Sequence, residues 1–258
     1  AVFADLNGDG KPDLMAASSS QGVMIYENKG DAIFKPISTE SNNLFAYALG
    51  LAVGDYNNDG RLDIFAANVG SSVPAILARG DLTEGQRLNQ KWILLRNDGD
   101  LRFTNIAEES YLANYELGRG AAFADFDLDG LLDLVVETNH IVYPPHRYYK
   151  NPGKLLLQNS DGQFVPAQME SRVENKELGV APIVADFNND GNLDIVHVNV
   201  NAAPAAHINE TSVRRYLKVD LGNGVDALGA QIILETADQA KQYRTLLSGE
   251  GLSSDQVH

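Results

Sequence analysis

Four short stretches of this chain repeat one arrangement of oxygen-bearing side chains, D-x-[DN]-x-D-G-x-x-D. They are FADLNGDGKPDLMAA (residues 3–17), VGDYNNDGRLDIFAA (53–67), FADFDLDGLLDLVVE (123–137) and VADFNNDGNLDIVHV (184–198). Positions 1, 3 and 5 are Asp5, Asn7 and Asp9; Asp55, Asn57 and Asp59; Asp125, Asp127 and Asp129; and Asp186, Asn188 and Asp190. Side chains at alternate positions of a tight bend converge on one point. A hard divalent cation needs that, since calcium takes roughly six to eight oxygen ligands at about 2.3–2.6 Å. Position 6 is glycine every time (Gly10, Gly60, Gly130, Gly191), where the chain must turn sharply without a Cβ clash. Position 7 varies (Lys11, Arg61, Leu131, Asn192), as expected where only the backbone carbonyl is used. Position 9 is always aspartate (Asp13, Asp63, Asp133, Asp194) and is expected to close the cage. About four Ca²⁺ ions are therefore expected.

A helix–loop–helix calcium site begins the same way, but it needs a bidentate glutamate at position 12 and helical flanks. Position 12 here is Ala16, Ala66, Val136 and His197, and flanks such as LDIFAA and LDIVHV are strand-like. A single such stretch would read equally well as an Asx-rich turn; four copies with Gly at 6 and Asp at 9 favour the cation. The chain holds 35 acidic and 20 basic residues, a formal charge of −15, and four Ca²⁺ would bring this to −7. Like charges packed in one loop resist joint ionisation, so binding is expected to be partly folding energy.

The elements that must hold these loops are strands. Each of the first three loops is followed by an apolar strand, a turn rich in Asn, Asp and Gly, and an aromatic: MIYENKGDAIF (24–34), ILLRNDGDLRF (93–103) and LLLQNSDGQF (155–164). That is a hairpin signature. The fourth copy is degraded to AHINETS (206–212). One period thus holds about four short strands, the sequence habit of a propeller blade. The expected fold class is all-β: a propeller of four-stranded blades at about 1–47, 48–117, 118–177 and 178–212, part of a larger propeller, followed by a small β module at 213–258. In that module, strands are expected at 214–221, 228–236 and 241–247. One short helical turn is expected at 83–89. The polar insertions 71–90 and 140–154 are candidate binding surface.

At the four loops the chain resembles FG-GAP/VCBS repeat proteins, whose blades also build the integrin α-subunit propeller. The tail YLKVDLGNGVDALGAQIILE (216–235) with SGEGLSSDQVH (248–258) is similar to the ASPIC/UnbV domain of bacterial FG-GAP proteins and the cartilage acidic protein family. The shared residues are Gly229, Ala230, Ser248, Gly249, Gly251 and Ser254. Family members usually have more blades and continue past the final histidine. Both ends of the sequence therefore read as cut or processed. The resemblance implies an exported, calcium-stabilised propeller associated with adhesion or recognition, secreted, periplasmic or on a cell surface.

Composition excludes other classes. The acidic balance leaves no nucleic-acid footprint, there is no cysteine for disulfide or thiolate chemistry, and no apolar run approaches a membrane span. No nucleophile elbow, phosphate loop or dinucleotide fingerprint occurs, so no catalytic residue or organic cofactor is expected. The expected function is recognition of a protein or glycan, with Tyr143, Tyr148 and Tyr149 as candidate contacts. The alternatives are a structural subunit, with self-assembly or further chains completing the propeller, and an enzyme with a propeller-face site. Arg79-Gly80-Asp81 reads as a chance adhesion tripeptide. His140, His146, His197 and His207 match no metal spacing, and His197 reads as a packed strand residue. Asn209-Glu210-Thr211 is a glycosylation sequon, relevant in a eukaryotic secretory pathway.

Overall fold

The computed structural model describes all residues except 19–20, 39–43, 71–86, 114–116, 139–140, 144–146, 150, 213–215, 220, 222–227, 238 and 248–258. Among the described residues there is no α-helix. The first sheet contains β1 (Val2–Ala4), β2 (Asp13–Ser18), β3 (Gly22–Asn28) and β4 (Phe34–Ile37), in that spatial order. β5 (Leu44–Phe45) lies outside it. The second sheet runs β6 (Gly50–Gly54), β7 (Asp63–Ala67), β9 (Ile93–Asn97), β10 (Phe103–Asn105), while β8 (Arg87–Leu88) pairs parallel with β5. The third runs β11 (Gly118–Ala124), β12 (Asp133–Thr138), β15 (Lys154–Gln158), β16 (Phe164–Pro166), with the hairpin β13 (Ile141–Tyr143) and β14 (Arg147–Tyr149) inserted in its middle connection. The fourth has three strands, β17 (Gly179–Ala185), β18 (Asp194–Asn199) and β19 (Ala205–His207). A last hairpin pairs β20 (Gln231–Glu235) with β21 (Lys241–Thr245).

Each of the four sheets is an antiparallel meander, and together they are successive blades of a propeller. Three apolar cores lie between them. Met15, Val23 and Ile25 face Val53, Ile64 and Ile93 in the first. Phe65, Trp92 and Leu94 face Phe123, Leu134 and Val136 in the second. Ala122, Val135 and Leu155 face Val184 and Ile195 in the third, which is the smallest. Alternation places these side chains: in β2, Asp13 and Met15 are buried while Leu14 is half-buried. The innermost strands approach backbone to backbone. A Cβ on Gly50 would lie 2.0 Å from the Arg119 carbonyl oxygen, and one on Gly120 would lie 2.4 Å from that of Val180. Only glycine permits this spacing at the hub.

Antiparallel order gives the sheets two distinct ends. The four acidic loops join first to second strands at one end. The connections that carry residues 71–86 and the β13–β14 hairpin leave from the other.

Four expected elements differ. Residues 216–219 and 221 form no strand: Tyr216 and Lys218 are drawn to the fourth loop, and a strand without a ladder partner leaves its backbone unpaired. The strands expected at 228–236 and 241–247 are shorter, at Gln231–Glu235 and Lys241–Thr245. Arg87–Leu88 is extended where a helical turn was expected, because it pairs with β5; residues 83–86 lie outside the described residues. So do Arg79-Gly80-Asp81, His140, His146 and residues 248–258, and nothing is described of the side chains of Tyr143, Tyr148 and Tyr149.

Candidate metal centre: four loops at one end of the sheets

The loops share one hydrogen-bonded skeleton. The position-1 carboxylate accepts the N–H groups of positions 5 and 6: Asp59 at 3.0 Å and Gly60 at 2.7 Å on Asp55, Asp129 at 3.1 Å and Gly130 at 2.9 Å on Asp125. Asp5 and Asp186 do the same. Position 3 accepts from the N–H of position 5, through Asn7, Asn57, Asp127 and Asn188. Position 5 accepts from that of position 7, where Lys11, Arg61, Leu131 and Asn192 donate at 2.8–2.9 Å to Asp9, Asp59, Asp129 and Asp190. These bonds turn the oxygens of positions 1, 3 and 5 inward on a short radius.

Position 9 has a second role beyond the expected one of closing the cage. Asp13, Asp63, Asp133 and Asp194 are each buried, with both carboxylate oxygens accepting backbone N–H groups. One donor is position 2 of the same loop and the other lies at the start of the hairpin turn: Phe126 and Gln158 each donate at 2.8 Å to Asp133. Leu6 with Asn28, Tyr56 with Asn97, and Phe187 with Asn209 are the corresponding pairs. The aspartate therefore ties the loop to the outer hairpin, and each oxygen keeps a lone pair for a cation.

Two hairpin asparagines chain one loop to the next. Asn97 Nδ2 donates to Leu6 O of the first loop at 2.9 Å and to Leu62 O at 3.2 Å. Asn209 Nδ2 donates to Phe126 O of the third loop at 2.8 Å and to Leu193 O at 3.2 Å. The sequon asparagine is thus already committed to holding two loops together.

Charge collects in the third loop. Asp125, Asp127 and Asp133 each offer an oxygen within 4.8 Å of the others, and this is the one such group among the described residues. Elsewhere the position-5 carboxylate is balanced locally: Lys11 pairs with Asp9 at 3.0 Å, Arg61 with Asp59 at 2.5 Å, and the Asn57 and Asn188 amides donate to Asp59 and Asp190. Position 3 of the third loop is a carboxylate, Asp127, with no amide to give. Burial pushes the Asp133 carboxyl up to about 8. The Asp127 and Asp125 charges push the same way, against the N–H donors of Gln158 and Phe126. Burial also raises Asp125, Asp55 and Asp13, and raises Asp63 well above the usual carboxylate range. A divalent cation would relieve this cost. The residues fit one, most closely in the third loop.

Sequence reasoning missed three features. Position 4 is left-handed in every loop, with φ of 76° at Gly8, 55° at Asn58, 57° at Leu128 and 60° at Asn189. Position 14 is a polar side chain that seals the opposite end of its sheet. Thr138 donates through Oγ1 to Asn151 O, Asn68 Nδ2 to Asn89 O and Lys91 O, and Asn199 Nδ2 to Ala203 O, while Ser18 Oγ accepts from Gln21 N. Both signals stand in the aligned repeats. The third feature does not: the C-terminal segment lies across the loops. Tyr216 covers Gly191, Gln242 covers Gly130 and Tyr243 covers Gly60; a Cβ would come within 2.3, 2.2 and 3.4 Å of them respectively. Gly10 has nothing within 4 Å. Arg244 reaches Asn58 Oδ1 and Gly130 O, Lys218 lies 3.9 Å from Asp186, and Leu247 is buried in the first core.

Comparison with known proteins agrees with the first two loops. A family model described as FG-GAP-like repeat matches residues 5–66. Cartilage acidic protein 1 of Xenopus tropicalis is 24% identical over 249 residues, covering 93% of this chain and 35% of that protein. The human protein of that name is 22% identical over 247 residues, 93% of this chain and 34% of its own length. A T-cell immunomodulatory protein homolog of Plasmodium yoelii yoelii is 29% identical over 141 residues, 53% of this chain and 20% of that protein. The chain spans about a third of the length of the cartilage acidic protein relatives. A solved β-1,3-galactosidase of glycoside hydrolase family 43 aligns over all of this chain and 97% of its own, at 10% identity and a TM-score of 0.36, too low to carry a comparison. The resemblance to FG-GAP repeat proteins therefore holds, and the likeness to cartilage acidic protein 1 reaches past the repeats into the C-terminal module.

Proposed function

We propose that this chain, built on FG-GAP-type repeats and similar along most of its length to cartilage acidic protein 1, is the calcium-stapled scaffold of an extracellular recognition module for a protein or glycan. The two-ended construction of the sheets carries the reading. The acidic loops and the C-terminal segment occupy one end, and the long connections leave from the other. In each loop the cation would be held by side chains at positions 1, 3, 5 and 9 and the carbonyl of position 7. It supplies rigidity there, and its charge compensates the buried aspartates. No helix among the described residues is long and apolar enough to cross a membrane.

The test presents the chain in calcium to glycan arrays and to a panel of cell-surface proteins. Deleting residues 71–86 should abolish any binding found, while Arg102→Ala at the exposed hairpin turn of the loop end should leave it unchanged. Binding that survives the deletion and is lost when the loop end is altered would overturn the reading.

A further inference from the structure

The interface between the third and fourth sheets breaks the rule of the other two. Where the first and second sheets meet, positions 13 and 12 of facing repeats are Ala17, partly buried and packed against the apolar core, and Ala66, within it. Where the second and third meet they are Ala67 and Val136. At the third junction they are Glu137 and His197. Glu137 is 0% and His197 1% exposed, and His197 Nδ1 is hydrogen-bonded to Glu137 Oε1. Asn175 Nδ2 donates to Glu137 Oε2 at 2.9 Å and to Asn199 Oδ1 at 2.8 Å. Gly179 makes room, since a Cβ there would lie 2.0 Å from Glu137 Oε2. Buried polar groups cost free energy that packed apolar side chains do not, and alanine and valine suffice at the neighbouring junctions.

The carboxylate fixes one nitrogen of His197 and leaves the other facing away from it. His197 Nε2 is buried and has no hydrogen-bond partner among the described residues, and neither has His207 Nε2. The two rings lie edge to face with centroids 5.1 Å apart. A zinc-class cation sits about 2.0–2.1 Å from an imidazole nitrogen, hence roughly 3.2 Å from each ring centroid. At a tetrahedral angle two such centroids lie about 5.2 Å apart. Metal-ligating histidines characteristically give their second nitrogen to a carboxylate, which sets the tautomer and strengthens the ligand; Glu137 does this for His197. Burial and the neighbouring His197 lower the pKa of His207, favouring the neutral, ligating form. His207 lies on the edge strand and is half-buried, which gives a cation a way in.

We propose that His197 and His207 form a two-histidine site for a borderline transition-metal cation such as zinc, with Glu137 as the positioning residue. Solvent or a bound ligand's donor atom completes the coordination. The site is separate from the calcium loops in both position and ligand chemistry. It lies toward the end of the sheets from which the long connections leave.

The full chain, held in saturating calcium so that the acidic loops do not compete, is titrated with Zn²⁺ by calorimetry and with Co²⁺ by visible absorption. One ion per chain is expected, with a Co²⁺ spectrum of tetrahedral intensity. His207→Ala, on an edge strand where truncation spares the core, should weaken binding at least tenfold with its melt unchanged. Glu137→Gln should weaken it about 10–100-fold while keeping one ion per chain. No zinc binding in calcium, or binding that His207→Ala leaves unchanged, would overturn the proposal.

Discussion

Arg244, on the C-terminal hairpin, donates through Nη2 to the Gly130 carbonyl at 3.3 Å, and the same nitrogen lies 3.9 Å from Asp125 Oδ2. A cation of the chain therefore sits beside the carboxylate that opens the third acidic loop. Its Nη1 lies 3.4 Å from Asn58 Oδ1, and Asn58 itself donates to Gly130 O at 3.0 Å. One guanidinium thus bridges two neighbouring loops.

Arg244→Ala should have opposite effects on the hairpin and on calcium. The hairpin loses charge-assisted hydrogen bonds, each of which contributes about 1.5–3 kcal/mol, so amides of residues 241–246 should exchange faster. The third loop loses a nearby positive charge, so its calcium affinity should rise several-fold by calorimetry. Unchanged affinity would mean that the guanidinium and the ion do not share Asp125.

Acidity should act in opposite senses on the metal-free and calcium-loaded chain. The folded-state pKa of Asp133 is raised to about 8 from 3.8, so between those values the folded chain binds more protons than the unfolded one. This contribution to stability is full below about pH 4 and is lost as pH rises toward 8. Calcium needs the carboxylate, so its affinity should rise across the same window. Melting curves with chelator and with calcium should cross or diverge accordingly, and Asp133→Asn should flatten the metal-free slope.

Chelation should lower the melting temperature markedly, and Asp125→Ala should reproduce part of that drop in the presence of calcium. A chelator-insensitive melt would remove the staple role from the loops.

Leu128 is the one branched apolar residue among the four left-handed position-4 residues, with φ of 57°. Left-handed backbone costs a non-glycine residue about 1–2 kcal/mol. Leu128→Asn, which copies Asn58 and Asn189, should raise the melting temperature by a few degrees. A lower melt would show that the leucine's packing outweighs its backbone strain.

Gly10→Ala and Gly191→Ala separate two reasons for glycine. Both positions have positive φ, 81° and 91°, but only Gly191 lies under a side chain, Tyr216. The first should cost about 1–2 kcal/mol. The second should cost more and expose the Tyr216 ring to solvent, read as increased tyrosine accessibility to a quencher.

The loops were legible because their chemistry is local. Alternating Asp and Asn, with glycine at a fixed offset, needs no tertiary partner to be recognised, and the repeated hairpins gave four-stranded sheets by the same logic. Position 4 was legible in principle: Gly8, Asn58 and Asn189 suit left-handed backbone, and Leu128 obscured them. The hidden part is tertiary. Nothing near Arg244 in sequence says that it will meet Asp125, 119 residues away. The apparent strand at 216–221 failed for the same reason, since its side chains find partners in a loop and its backbone finds no ladder. Glu137 and His197 look ordinary in their own strands, and their meaning appears only when two sheets face each other.

The segment from Tyr216 to Leu247 crosses the fourth, third and second loops and ends in the core between the first two sheets. It thereby runs back over structure encoded long before it. Such distant pairings carry a high loop-closure cost in folding, and the contacts over Gly191, Gly130 and Gly60 require those three bends in their final shape. The strap in effect reads the shape of those three bends at once: it seats fully only over bends that are correctly built, and one misshapen bend leaves part of the acidic surface bare.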